Sequence, residues 1–337
     1  KSYTEKLWGI PCKQISNEWG AQRVKGVSIW KTVLHAFKQL LPKKNDLSQK
    51  STETSLIEQF LYPKYGPGHF WECVAKEIQK LGGKILFEHE PTNIETTDKK
   101  VSKVEVHNKQ TNISLSFNCD YFFSTMSIKD LVPLLSPSVP NNIKQISNNL
   151  SFRNFVTVGL LLDKLHLYKN EKSEKDTWIY IQEPEVTMLR LQNFNVWSPY
   201  MVADSSKTWI GLEYTCGEND SLWNKSDAEM IDFTKKECEK IGIIKENDVI
   251  DATVVRQEKT YPVYHGTYYQ LDTVKNYLNK FSNLFLIGRN GMHRYNNMDH
   301  SMLSAMTAVE NIINNVEVKK NIWMVNEEKE YHEEKSK

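Results

Sequence analysis

The chain has 337 residues, 39% hydrophobic and 25% charged, an ordinary globular balance with enough length for two domains. Lysine and arginine number 43 against 42 aspartates and glutamates, and a net charge of +1 carries no footprint of a nucleic-acid binder. No apolar run approaches the roughly 18 to 20 residues of a membrane span, and the first residues lack a charged-then-apolar signal pattern, so the expected location is the cytoplasm. Cys12, Cys73, Cys119, Cys216 and Cys238 are scattered without CxxC spacing. They read mostly as buried small residues, with neither a disulfide framework nor a metal site.

Residues 1–61 carry helical periodicity, with Ile29, Val33, Phe37 and Leu40 or Leu41 on one face and a polar linker from Pro42 to Thr54. Tyr62 to Gly68 is a turn-rich loop containing Gly66 and Gly68, after which Phe70, Trp71, Val74, Ile78 and Leu81 trace a helix face that stops at Gly82-Gly83. Strands are predicted at Lys84–Glu88, Val101–Asn108 and Ile113–Cys119, with a further apolar run at Asp120–Thr125.

From about Leu131 to Lys280 the pattern turns β-rich. Phe155–Leu162, Trp178–Gln182, Met188–Asn193 and Thr208–Tyr214 are the strands, and Asp227–Lys240 is an amphipathic helix using Met230, Ile231, Phe233 and Cys238. Arg190, Asn193, Asn195, Trp197, Ser198, Tyr200, Glu213 and Tyr214 mix aromatics with a few polar groups. Such a mixture lines small-molecule pockets, and it equally lines sheet cores.

The most informative stretch runs from Phe285 to Asn311. Leu284–Ile287 reads as a buried strand, Gly288 ends it, and Arg289 stands at its carboxyl end. The following turn holds Asn290, Gly291, His293, Arg294, Asn296, Asn297 and Asp299. A helix then places Met302, Ala305, Met306, Val309, Ile312, Ile313 and Val316 on one face, with Asp299 or Ser301 able to cap its start. Ligands in open α/β sheets sit beyond strand carboxyl ends, where helix amino termini offer N–H groups to anions. His293 and His300 are placed to relay protons, or more simply to hydrogen-bond the loop. The tail after Lys319 is charged and solvated.

The string Gly288-Arg289-Asn290-Gly291, with Arg294 to Asp299 after it, resembles the C-terminal flavin-binding segment of the FAD-dependent amine oxidase superfamily, which includes protoporphyrinogen oxidases and UDP-galactopyranose mutases. The loop and helix at Tyr62–Glu72 resemble another part of the same FAD domain, and Tyr3–Gly9 with Trp19–Arg23 the passage to its substrate domain. The resemblance implies a mixed α/β protein: a partial Rossmann-like FAD domain with an inserted β-rich substrate domain. The expected divisions are 1–61, a helical segment; 62–130, FAD-domain part; 131–280, substrate domain; 281–317, the strand-loop-helix; and 318–337, a tail. The GxGxxG turn that opens the domain in relatives is absent from the sequence, and the first half of that domain is expected to be missing.

By the same resemblance FAD is the cofactor, held by Gly288, Arg289, Asn297, Met298 and Asp299, with Gly66 and Gly68 over the flavin. Arg190, Trp197, Tyr261 and Tyr264 are the expected substrate-binding residues; Tyr264 falls where bacterial mutases carry an arginine. No catalytic residue and no metal ligand is assigned. The implied activity is hydride transfer from a small-molecule substrate to flavin, with a mutase-like isomerisation of a nucleotide sugar as the alternative and a non-enzymatic remnant as the second. Arg153, Arg190 and Arg256 are the arginines of the central region. A diphosphate substrate needs cations in the cleft, so their placement separates the first two readings.

Overall fold

The computed structural model describes residues 2–14, 61–163, 165–166 and 176–326. The periodic segment at 29–41, the linker at 42–54, the motif at 19–23 and the tail beyond 326 lie outside the described residues. In chain order the elements are α1 (Ser2–Trp8), α2 (Gly66–Lys80), β1 (His89–Thr97), β2 (Lys100–Asn108), β3 (Ile113–Asn118), β4 (Phe122–Ser124), α3 (Ile128–Leu134), β5 (Leu135–Ser136), α4 (Asn141–Asn148) and β6 (Phe152–Leu162). There follow β7 (Trp178–Tyr180), β8 (Arg190–Asn193), α5 (Phe194–Trp197), β9 (Thr208–Cys216), α6 (Asp227–Lys240), β10 (Val249–Pro262), α7 (Leu271–Leu278), β11 (Leu284–Leu286), α8 (Gly288–Gly291), α9 (Met298–Ile313) and α10 (Lys320–Met324). This is a mixed α/β chain. No described helix is long and apolar enough to cross a membrane. Of the cysteines only Cys216 and Cys238 are buried; Cys73 is exposed, so the expectation that most are buried does not hold.

The described residues fall into two compact units. One takes the described part of 1–15 with Tyr62–Phe87 and Ser151–Val263; the other takes Glu88–Leu150 and the described part of 264–337.

The first unit is organised on a five-stranded antiparallel sheet in the order β10-β6-β9-β8-β7. Along β6 the side chains of Phe152, Val156, Val158, Leu160 and Leu162 are buried, and the neighbouring strand β9 adds Ile210, Leu212, Tyr214 and Cys216 to the same core. α6 covers that core with Met230 and Cys238. Its bounds are those expected from sequence because the Ser-x-x-Glu signal is local: Ser226 accepts from the Glu229 N–H (3.3 Å), and Glu229 in turn accepts from the Ser226 N–H (2.8 Å). α2 begins at Gly66, inside the expected loop. Pro67 sits in its first turn, where a missing N–H costs nothing.

The second unit holds a four-stranded sheet, β3-β2-β1-β5, and a separate parallel pair, β11 with β4. Its core joins Ile94 and Val101 of the sheet to Ile128, Leu131, Ile143, Val274, Leu278 and Trp323 of the helices. Two expectations are corrected here. Lys84–Glu88 is not a strand; the strand is β1, where Ile94 is the one fully buried residue and Pro91 sits at a break in register. α4 and α7 are helices inside the stretch that read as β-rich, and α3 runs into its start. Each has eight residues or fewer, too short for a 3.6-residue period to stand out.

Candidate functional site

The cradle of the second unit is built on β11 and α9. Gly288 follows the strand with φ +74°, a backbone region that side-chain-bearing residues rarely adopt. The next residues form the one-turn helix α8 rather than an open turn. Gly291 lies so close to β4 that a Cβ would stand 2.5 Å from the Ser124 carbonyl oxygen, so no other residue fits without displacing the backbone. α9 is drawn against this turn by small residues. The Gly288 N–H donates to Ser304 Oγ (2.9 Å), whose hydroxyl donates to the Ser301 carbonyl (2.7 Å).

The polar residues of the loop mostly tie it together. Arg289 Nε donates to the Asn296 carbonyl (2.7 Å), and its guanidinium lies 4.7 Å from the centroid of the Tyr295 ring. Asn296 donates to the Gly288 carbonyl (3.3 Å), and Asn326 donates to both Asn296 Oδ1 (3.0 Å) and the Tyr295 carbonyl (2.9 Å). Arg294 donates to the Trp323 and Val325 carbonyls (2.9 and 3.0 Å). Tyr264 is 4% exposed, stacks on Tyr268 (4.6 Å between centroids) and accepts the Tyr295 N–H (2.6 Å). Its hydroxyl therefore holds the loop.

The start of α9 is exposed and carries a capping box in which the Asn297 side chain accepts the His300 N–H. Asn297, Met298 and Asp299 are all exposed, and the first N–H groups of a 16-residue helix lack intrahelical acceptors. The Asn297 N–H donates to His300 Nδ1 (3.3 Å). Two side-chain oxygens near this turn, Ser124 Oγ and Asn290 Oδ1, are buried without a hydrogen-bond partner. Buried polar atoms are rarely left so unless something outside the polypeptide meets them. A cationic side chain, the Met298 and Asp299 N–H groups and orphaned acceptors are a donor and acceptor set that fits a phosphate-bearing cofactor with hydroxyls.

The first unit holds the other expected residues. Gly66 is buried with φ +84°, and a Cβ there would meet the Met201 methyl at 3.2 Å; Gly68 has open space before it. Trp197 stacks on Tyr62 (4.9 Å), and Lys64 Nζ lies 4.1 Å from the Tyr200 ring centroid. Arg190 and Tyr261 are 4% and 3% exposed. Arg190 Nε is ion-paired with Glu213, its Nη2 donates to the Tyr261 hydroxyl (3.0 Å), and its guanidinium stacks 4.6 Å from the Trp178 ring. Gln192 donates to the other Glu213 oxygen. Burial pushes the Glu213 carboxyl up, with Arg190 pulling it back. On Arg190 burial works against the charge, and Glu213 with Tyr261 more than offsets it, holding the guanidinium pKa above its ordinary value.

Sequence reasoning missed Ser124, Ser304 and Asn326. Ser301, Ser304, Ala305 and Ala308 recur at three- and four-residue spacing, a signal of close approach that was available. The expected apolar face is corrected: Ser304, Ala308 and Asn311 are the buried residues of α9, while Met306, Val309 and Ile313 are exposed. Ser124 and Asn326 lie far from the loop in sequence and carry no local signal.

Comparison with solved structures follows this geometry. A reduced UDP-galactopyranose mutase superposes with a TM-score of 0.72 at 17% identity, covering 96% of this chain and 67% of that one. The chain shares its fold with that mutase. A protein from Exiguobacterium sp. 255-15 assigned as a protoporphyrinogen oxidase gives 0.58 at 17% identity, covering 77% of this chain and 53% of its own. An oxidoreductase from Methanosarcina mazei gives 0.51 at 13%, covering 74% and 55%. The chain thus spans about half the length of these last two and two thirds of the mutase. No family model matches the sequence, and no curated protein matches it. The resemblance read from residues 288–299 and the fold found by superposition agree.

Proposed function

We propose that this chain belongs to an FAD-dependent oxidoreductase whose cofactor is held at the cradle of Gly288, Arg289, Asn297, Met298 and Asp299. The observation that carries the reading is the conjunction of Arg289, the exposed first turn of α9 at Asn297–Asp299 and the buried, unpartnered oxygens of Ser124 and Asn290. When bound, FAD accepts hydride equivalents from the substrate. The chain's own groups then act as follows. Arg289 places positive charge at the carboxyl end of β11, where the helix N–H groups add to it, and both favour the cofactor's diphosphate. Asp299, exposed in the first turn of α9, would accept from the cofactor's ribityl hydroxyls. Tyr264 and Asn326 fix the loop so that these groups keep their aim without reorganising.

The mutase alternative calls for cations that a nucleotide-sugar diphosphate can reach. Each candidate arginine is engaged within the first unit: Arg190 with Glu213 and Tyr261, Arg153 with the Thr215 carbonyl (3.1 Å) and Asp220 (3.8 Å), and Arg256 with Asp227 and the Lys225 carbonyl (2.6 Å). This favours a substrate without a diphosphate and supports the oxidase reading. Trp197, stacked on Tyr62, is retained as a substrate-binding residue, while Arg190 and Tyr261 act inside their unit.

The test is the absorbance spectrum of the protein isolated from the cells that make it, where bound isoalloxazine gives bands at about 370 and 450 nm. Arg289→Ala is expected to weaken FAD binding about ten- to a hundredfold, the cost of roughly 1.5–3 kcal/mol for a charge-assisted contact, measured by fluorescence titration. A protein without bands even after added FAD would remove this reading.

A further inference from the structure

A cavity of about 390 Å³ lies between α7 and α10 in the second unit, within the range of roughly 300–1,000 Å³ that small-molecule sites occupy. Three amines line it: Lys275 from α7, Lys319 just before α10 and Lys320 at the start of that helix. The amides of Asn276 and Asn279 and the indole of Trp323 join them. Two carboxylates, Asp272 and Glu317, stand in the same wall, so the lining keeps a surplus of one positive charge. Asp272 accepts from the Lys275 amine (2.8 Å), which also lies 4.7 Å from the centroid of the Trp323 ring. Lys320 and Asn276 are exposed, and neither side chain has a partner among the described residues.

Lys319 supplies an independent observation. It is 7% exposed, and its amine donates to the Phe281 and Leu284 carbonyls (2.5 and 2.7 Å) where β11 begins, whereas the cradle follows the strand's other end. An ammonium has three N–H groups, and two of them are spent here on neutral acceptors. No carboxylate pairs with this amine among the described residues. Burial pushes it down to about 8, so at neutral pH it is charged and lacks a counter-ion. A buried charge in that state is costly, and an anion in the cavity would offset the cost.

We propose that the cavity between α7 and α10 is a second ligand site, besides the cradle, and that it takes the phosphate group of a small phosphate monoester. Lysines meet phosphate as point charges, and the amide nitrogens of Asn276 and Asn279 donate to its oxygens. Asn279 is already turned for this, because its Oδ1 accepts the Trp323 Nε1–H (3.3 Å) and leaves the nitrogen as a donor. A carboxylate carries a single charge and a phosphate monoester about −1.5 to −2 at pH 7, so three amines favour the phosphate.

The test follows the Trp323 indole N–H signal by nuclear magnetic resonance in the full chain with isotopically labelled tryptophan, the signal being assigned with Trp323→Phe. Inorganic phosphate, glycerol phosphate and acetate are added separately at constant ionic strength. The expected result is a saturable shift with both phosphates and none with acetate. Lys320→Glu and Asn276→Asp change exposed side chains that bear no fold contact, and each is expected to weaken the response about tenfold. The response is expected to survive Arg289→Ala. A shift that fails to saturate, that acetate reproduces or that persists undiminished in either cavity variant overturns the proposal. So does a response lost with Arg289→Ala, which would report the cradle instead. No flavin enters this readout, so failure of the cofactor reading leaves it intact and the reverse.

Discussion

Arg190 and Glu213 face each other across β8 and β9 in register, almost without solvent. A buried pair of this kind is a weak source of net stability and a strong source of loss when one half is removed, because the survivor is left charged in a poor solvent. Arg190→Ala is expected to cost about 3–5 kcal/mol in a urea titration, and Arg190→Met with Glu213→Leu distinctly less than that. If the single and double variants lose the same amount, the charge pairing is not what the site depends on. Gly291 makes a second residue-scale case. Gly291→Ala pushes a methyl onto the Ser124 carbonyl, and the expected cost is about 1–3 kcal/mol, read from the thermal midpoint; on the proposed function it also weakens FAD retention, read from the flavin bands. Sequence exposed these residues unequally. Arg289 was legible because its neighbours Gly288 and Leu286 announce a strand end. For Arg190 the sequence did not show the Glu213 contact, because that partner lies 23 residues away and is brought there only by strand pairing.

At the scale of elements, what was local in the sequence was legible. α6 carries its own capping box and emerged with the expected bounds. β1 does not announce itself, since a strand with one fully buried residue and a proline at a bulge shows no alternation. α9 was placed correctly and turned wrongly: small residues that allow close approach are its inner face, and periodicity alone follows the large apolar ones. The edge of β11 gives this scale its prediction. Burial pushes the Lys319 amine down to about 8 from 10.5, while its hydrogen bonds to the Phe281 and Leu284 carbonyls persist. Between those two values the unfolded chain holds a proton that the folded chain has released, so folding becomes more favourable as pH rises through the window. Below about pH 8 the cost of the buried charge is fully present. Thermal midpoints of the wild type relative to Lys319→Met are expected to rise from pH 7 to 10.5. A constant difference between the two proteins over that range would show that the amine does not titrate early.

For the whole molecule, the mixed α/β architecture and the likeness to flavin-dependent enzymes came from two short anchors, residues 62–72 and 288–299, and superposition on the mutase agrees with the fold they implied. Reading further was limited by physics. The chain's division into units depends on contacts between distant segments, and composition does not record them. One of those contacts reaches beyond the fold itself. The Val263 N–H donates to the Ser151 carbonyl (3.0 Å), and Pro262 pairs with Phe152, so the polypeptide leaves the Ser151–Val263 segment at the point where it entered. A stretch whose two ends touch behaves like a clause in parentheses. It can be lengthened, shortened or exchanged for another with little disturbance to the path of the chain on either side. Changes of length and sequence are therefore free to accumulate inside the brackets, while residues 288–299, which lie after Val263, keep their own sequence and register.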